Sequence, residues 1–145
     1  MAWLLLLGSG NAPMPNGKDD RPRILVVDTD RQSLGSIERL LTRLGFHVLV
    51  SADAAEAITL ASEHVPAVAL VEIHLPGLSG HALVQRMRQA QPTLVPIMMS
   101  ARADSQDMLD SFSSGAIDYL RKPFNPRDLV TLVARAVASH EQSSL

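Results

Sequence analysis

The chain has no cysteine and no run of like charges, and both absences narrow its function. Without cysteine it holds neither a disulfide framework nor a thiolate metal site, which fits a reducing compartment. Its formal net charge is only -2, so nothing indicates a surface for nucleic acid or for an anionic membrane. We expect a cytoplasmic protein whose partners are other proteins.

Long apolar runs are also missing. Residues 1–7 are apolar, but the run is too short to span a bilayer and no basic residue precedes it. Residues 8–20 are rich in Gly, Asn and Pro without periodicity, and Met14 offers a second start, so whether residues 1–13 are native stays open. We predict a disordered leader over residues 1–21, one domain over 22–139 and a disordered tail over 140–145.

From Arg23 onward, short apolar runs alternate with amphipathic stretches. The predicted strands are Ile24–Val27, Phe46–Val50, Val68–Ile73, Pro96–Met99 and Tyr119–Leu120. The predicted helices are Ser33–Leu44, Ala54–His64, one ending near Gln89, Asp104–Ser114, and one from Asn125-Pro126 to Ser139. Strands that read as continuous apolar runs are covered on both faces. The pattern therefore predicts an α/β fold with a parallel, doubly wound sheet of five strands.

Polar side chains follow several of these strands. They are Asp28, Asp30, Glu72, Ser100 and Lys122. In an open parallel sheet, the binding crevice lies beyond the carboxyl ends of the strands. Carboxylates suit a divalent cation, and a lysine can neutralise a phosphate. The sequence therefore predicts a crevice for a metal ion and a phosphoryl group.

Four segments in register resemble the receiver domain of response regulators (CheY-like), over roughly Arg23 to Ala138. They are ILVVD at 24–28, EIHLPGLSG at 72–80, SA at 100–101 and DYLRKPF at 118–124. The resemblance implies a flavodoxin-like (βα)5 fold with strand order 2-1-3-4-5 and a cis Lys122-Pro123 bond. It also implies an aspartate phosphorylated by a histidine kinase with Mg²⁺. Ser100 and Tyr119 would then be the switch residues, and Lys122 would line the phosphate pocket.

Two positions depart from that pattern. Glu72 stands at the phosphoacceptor position, and its extra methylene displaces the carboxylate by about 1.5 Å, whereas in-line transfer tolerates little misplacement. Thr29 replaces one acid of the metal-binding pair, so Asp28 and Glu72 would bind Mg²⁺ weakly or not at all. We interpret the chain as a single-domain pseudo-receiver. It would be no enzyme and would signal by binding a histidine kinase or another signalling protein without aspartyl phosphorylation.

We further expect a permanent ion pair between Glu72 and Lys122 that imitates the phosphorylated state. Ser100 and Tyr119 would then lie inward and fix a binding surface on the fourth helix, the fifth strand and the fifth helix. Arg121, Arg127 and Arg135 would be its contacts, unless they are merely solvated. The five histidines show no metal spacing and are interpreted as surface or loop residues.

Three alternatives remain. Glu72 could itself accept phosphate in a working phosphorelay. Asp28-Thr29-Asp30 after a strand is also compatible with a haloacid-dehalogenase-like phosphatase, although Arg31-Gln32 stands where that family has Thr or Val and Leu. Finally, Glu72 could be an ordinary strand-end acid paired with Lys122, with Tyr119 a static core residue.

Overall fold

A computed structural model describes residues 19–102 and 104–143, in which five strands alternate with five helices as predicted. The strands are β1 (Arg23–Val27), β2 (His47–Ser51), β3 (Val68–Glu72), β4 (Val95–Ser100) and β5 (Asp118–Arg121). The helices are α1 (Arg31–Arg43), α2 (Ala54–His64), α3 (Gly80–Ala90), α4 (Ser105–Ser113) and α5 (Pro126–Ser143). Residues 1–18 of the predicted leader and residues 144–145 of the predicted tail lie outside the described residues.

All strand pairs are parallel, and the sheet order is β2-β1-β3-β4-β5. This confirms the predicted flavodoxin-like topology. Val27 is level with Val71, and Glu72 is level with Met99. The carboxyl ends of β1, β3, β4 and β5 therefore form one edge, where the residues that follow them can meet.

The core has two halves, one on each face of the sheet. Helices α1 and α5 cover one face of the sheet. Their apolar residues pack on the strand residues that point to this face, such as Ile24 and Leu70. Helices α2 and α3 cover the other face, against alternate residues such as Leu25 and Ala69. Because β1 is covered on both sides, Ile24, Leu25, Val26 and Val27 are all fully buried. This burial explains why the strand reads as a continuous apolar run.

The bounds of helices α1 and α5 differ from the prediction. Helix α1 begins at Arg31 rather than Ser33, because the Asp30 carboxylate accepts the backbone N–H groups of Gln32 and Ser33 as the N-cap. Helix α5 continues to Ser143, so residues 140–143, which we placed in a disordered tail, are helical. Within the described ranges, none of the helices has the length and hydropathy to cross a membrane.

Candidate functional site

Two acids and one lysine meet at the carboxyl edge of the sheet. Asp28 follows β1, Glu72 ends β3 and Lys122 follows β5. The Lys122 ammonium donates a hydrogen bond to Oδ2 of Asp28 and lies 3.5 Å from Oε1 of Glu72. The exposed fractions of these side chains are 2% for Asp28, 12% for Glu72 and 13% for Lys122. The predicted site residues therefore form one compact and largely buried charge cluster.

Lys122 has a second partner that the sequence did not indicate. We expected Glu72 as its ion partner, but its hydrogen bond goes to Asp28. The Asp28 carboxylate is almost fully buried, and a buried charge requires a hydrogen-bonded partner of opposite sign. Glu72 needs the lysine less, because its Oε2 accepts the backbone N–H of Ile73 at 2.8 Å. Lys122 thus bridges both acids instead of pairing with Glu72 alone.

The electrostatics of Glu72 are unfavourable for a charged carboxylate. Burial is the largest effect and raises its pKa, and the nearby Asp28 charge raises it further. The Lys122 charge and the Ile73 N–H oppose this shift without cancelling it, so the net pKa is above the usual range. Keeping Glu72 ionised at neutral pH therefore reduces the stability of the folded chain.

We expect Glu72→Gln to raise the free energy of unfolding at neutral pH. A carboxyl group whose pKa is higher in the folded chain than in the unfolded chain binds a proton more readily when folded. Its contribution to the free energy of unfolding is therefore fully present at pH values below the pKa of the unfolded chain. That effect is lost as the pH rises through the folded pKa. The gain of Glu72→Gln over wild type should therefore grow from the ordinary glutamate pKa upwards. Urea unfolding at several pH values measures it, with the exposed Glu63→Gln as control, and a gain that is largest in acid would contradict it.

The acidic residues after β1 form hydrogen bonds that stabilise the beginning of α1. Oδ1 of Asp28 accepts the Asp30 N–H at 3.0 Å, and Asp30 caps α1. The pKa of Asp30 is lowered, chiefly by its hydrogen bond from the Ser33 N–H. Thr29 is exposed. Among the residues that the structure describes, no group of three or more His, Cys, Asp or Glu side chains is arranged to hold a metal ion.

Ser100 and Tyr119 lie on neighbouring strands beside the charge cluster. Ser100 is fully buried, and its Oγ accepts the backbone N–H of Arg102 at 3.2 Å. Tyr119 is half-buried against the core, and its hydroxyl donates to the backbone carbonyl of Ser100 at 3.2 Å. Burial raises the pKa of the Tyr119 phenol. The ring is thus turned towards β4 and fixed to the end of that strand. The Lys122–Pro123 peptide bond that follows β5 is cis.

Two histidines that we interpreted as surface or loop residues connect this site to α4. Nε2 of His74 lies 3.3 Å from the carbonyl oxygen of Arg102 and 3.5 Å from Oδ2 of Asp107. Nε2 of His81 lies 3.0 Å from Oγ of Ser111. Because the Ser111 hydroxyl donates to the Asp107 carbonyl, His81 is the donor. The only sequence signal was that His74 stands two residues after Glu72.

Comparison with known proteins decides the family. Residues 24–134 match the family described as response regulator receiver domain. The chain belongs to this family. The match includes the five strands except Arg23 and the first half of α5, and every residue of the charge cluster lies within it.

Two curated relatives align with most of the chain. The chain is 38% identical over 112 residues to the transcriptional regulatory protein PrrA of Mycobacterium tuberculosis, a match that covers 77% of this chain and 48% of PrrA. It is 33% identical over 119 residues to the DNA-binding transcriptional regulator NtrC of Escherichia coli K12, covering 82% of this chain and 25% of NtrC. The chain therefore spans about half of PrrA and a quarter of NtrC.

Solved structures agree with this fold. The CheY-like receiver domain from Methanospirillum hungatei JF-1 aligns with a TM-score of 0.82 and 30% identity, over 86% of this chain and 99% of that one. A response regulator from Chloroflexus aurantiacus aligns with a TM-score of 0.77 and 32% identity, over 82% of this chain and 99% of that one. Receiver domains interact with histidine kinases and other signalling proteins.

Receiver domains typically bind Mg²⁺ at the phosphorylation site, and the residues present here fit that ion poorly. Mg²⁺ needs carboxylate oxygens in a near-octahedral arrangement. Both Asp28 oxygens already accept hydrogen bonds from Lys122 and from the Asp30 backbone, and Asp30 caps α1. Thr29 has a neutral hydroxyl group at the position where the acidic pair of other receivers has its second carboxylate.

Proposed function

We propose that this chain is a receiver that signals by binding proteins, without accepting a phosphoryl group. The observation that carries the proposal is that both oxygens of the Glu72 carboxylate are engaged. Oε2 accepts the Ile73 N–H at 2.8 Å, and Oε1 faces the Lys122 ammonium at 3.5 Å. These contacts fix a carboxylate that the extra methylene of glutamate displaces by about 1.5 Å, and a small misplacement slows an in-line step severely.

The charge on Glu72 supports a constitutive role. The negative group lies beside Lys122, where the resemblance to other receivers implies that a phosphoryl group would lie. The Tyr119 hydroxyl donates a hydrogen bond to the Ser100 carbonyl, an inward orientation of the ring that is compatible with this role.

Side-chain contacts connect the residues around Glu72 to helix α4 at the surface. His74 follows Glu72 on the β3–α3 loop and contacts Asp107 of α4, and His81 of α3 contacts Ser111 of α4. The opposite side of α4 exposes Met108, Leu109 and Phe112. Exposed apolar side chains grouped on one helix indicate a protein-binding surface. We propose that this surface, with exposed Arg121 of β5, binds the signalling partner.

We also propose that the chain is not an enzyme. A haloacid-dehalogenase-like phosphatase would use the Asp28 carboxylate as its nucleophile. Asp28 is almost fully buried, and its two oxygens are bonded to Lys122 and to the Asp30 N–H. This burial leaves neither oxygen open to a substrate in solution.

The proposal is tested by intact mass after treatment with acetyl phosphate and Mg²⁺. The wild-type chain should gain no stable phosphoryl mass, because its acceptor is displaced and the metal-binding pair is incomplete. The double variant Thr29→Asp, Glu72→Asp should gain one phosphoryl group, which serves as the positive control. A single phosphoryl group on Glu72 of the wild-type chain would establish a working phosphorelay receiver instead.

A further inference from the structure

An apolar groove lies between α2 and α3, at the end of these helices away from Glu72. Its apolar lining consists of Ile58, Ala61, Val65, Met87 and Ala90, and its volume is about 350 Å³. Concave, mostly apolar sites of this size are the usual form of a binding pocket. Three polar residues, Ser62, Arg86 and Gln91, complete the lining.

Val65 at the groove is exposed and conformationally unusual. It follows the last residue of α2 with a φ of 47°, in the left-handed region. A β-branched residue is unfavourable there, and glycine or asparagine is the common choice at such a helix end. The side chain is nevertheless 59% exposed. The fold thus retains an apolar side chain beside the groove where neither local conformation nor core packing requires one.

The N-terminal part of the chain enters the domain near this groove. The carboxylate of Asp19, the first described residue, lies 3.0 Å from the His47 ring at the beginning of β2. Four residues later, the Arg23 guanidinium donates to the backbone carbonyl of His64 at 2.8 Å. His64 is the neighbour of Val65. Asp19 is therefore separated from the groove by at most four residues of backbone, about 14 Å, and one arginine side chain.

The sequence before Asp19 contains an occupant of matching chemistry. Residues 3–7 are Trp followed by four Leu, and such a run in water favours burial against an apolar surface. Residues 8–18 form an 11-residue connection that is rich in Gly, Asn and Pro. Fully extended, it spans about 36 Å, which exceeds the separation between Asp19 and the groove.

We propose that the segment Trp3–Leu7 of this chain binds in the groove between α2 and α3. The exposed apolar residues of α4 are a poorer candidate, because α4 lies beside β5 at the far edge of the sheet from β2, where the chain enters. The groove and the charge cluster lie at opposite ends of the strands, so none of the cluster residues Asp28, Glu72 and Lys122 lines the groove.

The test uses the fluorescence of Trp3, the only tryptophan in the chain. In the folded chain of residues 1–145, its emission should lie at shorter wavelength than in urea and should resist quenching by acrylamide. Val65→Asp and Ala61→Glu, which place a charge in the groove, should shift the emission to longer wavelength and increase quenching several-fold. The matched control Leu109→Asp, which places the same charge on exposed α4, should leave the emission unchanged.

Four outcomes would overturn the proposal. The first is solvent-exposed Trp3 emission in the folded wild-type chain. The second is protected emission that neither groove variant changes. The third is a shift caused by Leu109→Asp instead, which would place the segment on α4. The fourth is protection that disappears on dilution, which would assign the contact to a second copy of the chain. Circular dichroism of each variant verifies that it is folded.

Discussion

Lys122→Met should lower the free energy of unfolding by about 3–5 kcal/mol, the usual effect of breaking a buried ion pair. The methionine keeps most of the side-chain volume but removes the only cation that contacts Asp28 or Glu72 among the described ion pairs. Asp28 would then remain as a buried and unpaired carboxylate. Urea unfolding measures the change as a lower midpoint at a similar slope.

Arg135→Met is the matched control for this prediction. Arg135 pairs with Asp118 at 3.2 Å, but its side chain is largely exposed, and exposed pairs contribute only about 0–1 kcal/mol. If Lys122→Met destabilises the protein no more than Arg135→Met, the cluster at the sheet edge has no special energetic role. Lys122→Arg retains the charge and should recover part of the loss, which separates the charge effect from altered packing.

A second variant distinguishes an unpaired charge from lost packing. Adding Asp28→Asn to Lys122→Met removes the buried charge that the lysine neutralised, so the double variant should be more stable than Lys122→Met alone. The same asparagine in the wild-type background removes the negative charge that pairs with Lys122, so this single variant should be less stable than the wild-type chain. Asp28→Asn should thus lower the free energy of unfolding when Lys122 is present and raise it when Lys122 is replaced by methionine, as expected for two residues in contact. If the effects of the two substitutions simply add, the prediction is wrong.

The fold was predictable from the sequence because burial leaves a strong pattern. Ile24–Val27 and Val68–Val71 are covered on both faces, and continuous apolar runs of this length predict such strands. The strand ends were less predictable: β4 includes Val95 and Ser100 beyond the predicted Pro96–Met99. Pairing with a neighbouring strand extends a strand through polar residues, and that pairing is not visible in a local window.

The sequence predicted which residues form the site but did not predict which of them contact each other. The parallel strands bring Asp28, Glu72 and Lys122 to one edge of the sheet, and this placement does not depend on which contacts their side chains form. Which acid the lysine binds depends on burial, and the near-complete burial of Asp28 follows from packing across the whole edge. The contacts of His74 and His81 with α4 were missed for the same reason, because they depend on how α3 and α4 pack.

Asp30 illustrates a local ambiguity. An acid directly after a buried strand is typical of a metal ligand, and an acid directly before an amphipathic stretch is typical of a helix N-cap. Both descriptions fit Asp30, and we included it among the strand-end acids of a metal crevice. In the structure it accepts the N–H groups of Gln32 and Ser33, so α1 starts two residues earlier than predicted.

Gly80→Ala should destabilise the fold by about 1–3 kcal/mol or more, as overpacking does, and should displace the loop after Glu72. Gly80 begins α3, and its N–H donates to the carbonyl of Ile73 at 2.8 Å. A Cβ at this position would lie 2.2 Å from the Glu72 carbonyl oxygen and 2.9 Å from the Ile73 Cα. Both are backbone atoms, so no side-chain rotation relieves the clash and the β3–α3 loop itself must move.

Gly35→Ala on α1 is the matched control and should have the opposite sign. The nearest atom to its Cβ is the end of the flexible Arg39 side chain, at 3.2 Å, and replacing a glycine inside a helix by alanine stabilises by about 0.5–1 kcal/mol. Urea unfolding of both variants measures the two signs. NMR shifts of the Ile73 and His74 amides should change in Gly80→Ala and not in Gly35→Ala. If Gly80→Ala is as stable as wild type with unchanged loop shifts, the tight contact between α3 and the end of β3 does not hold Glu72 in place.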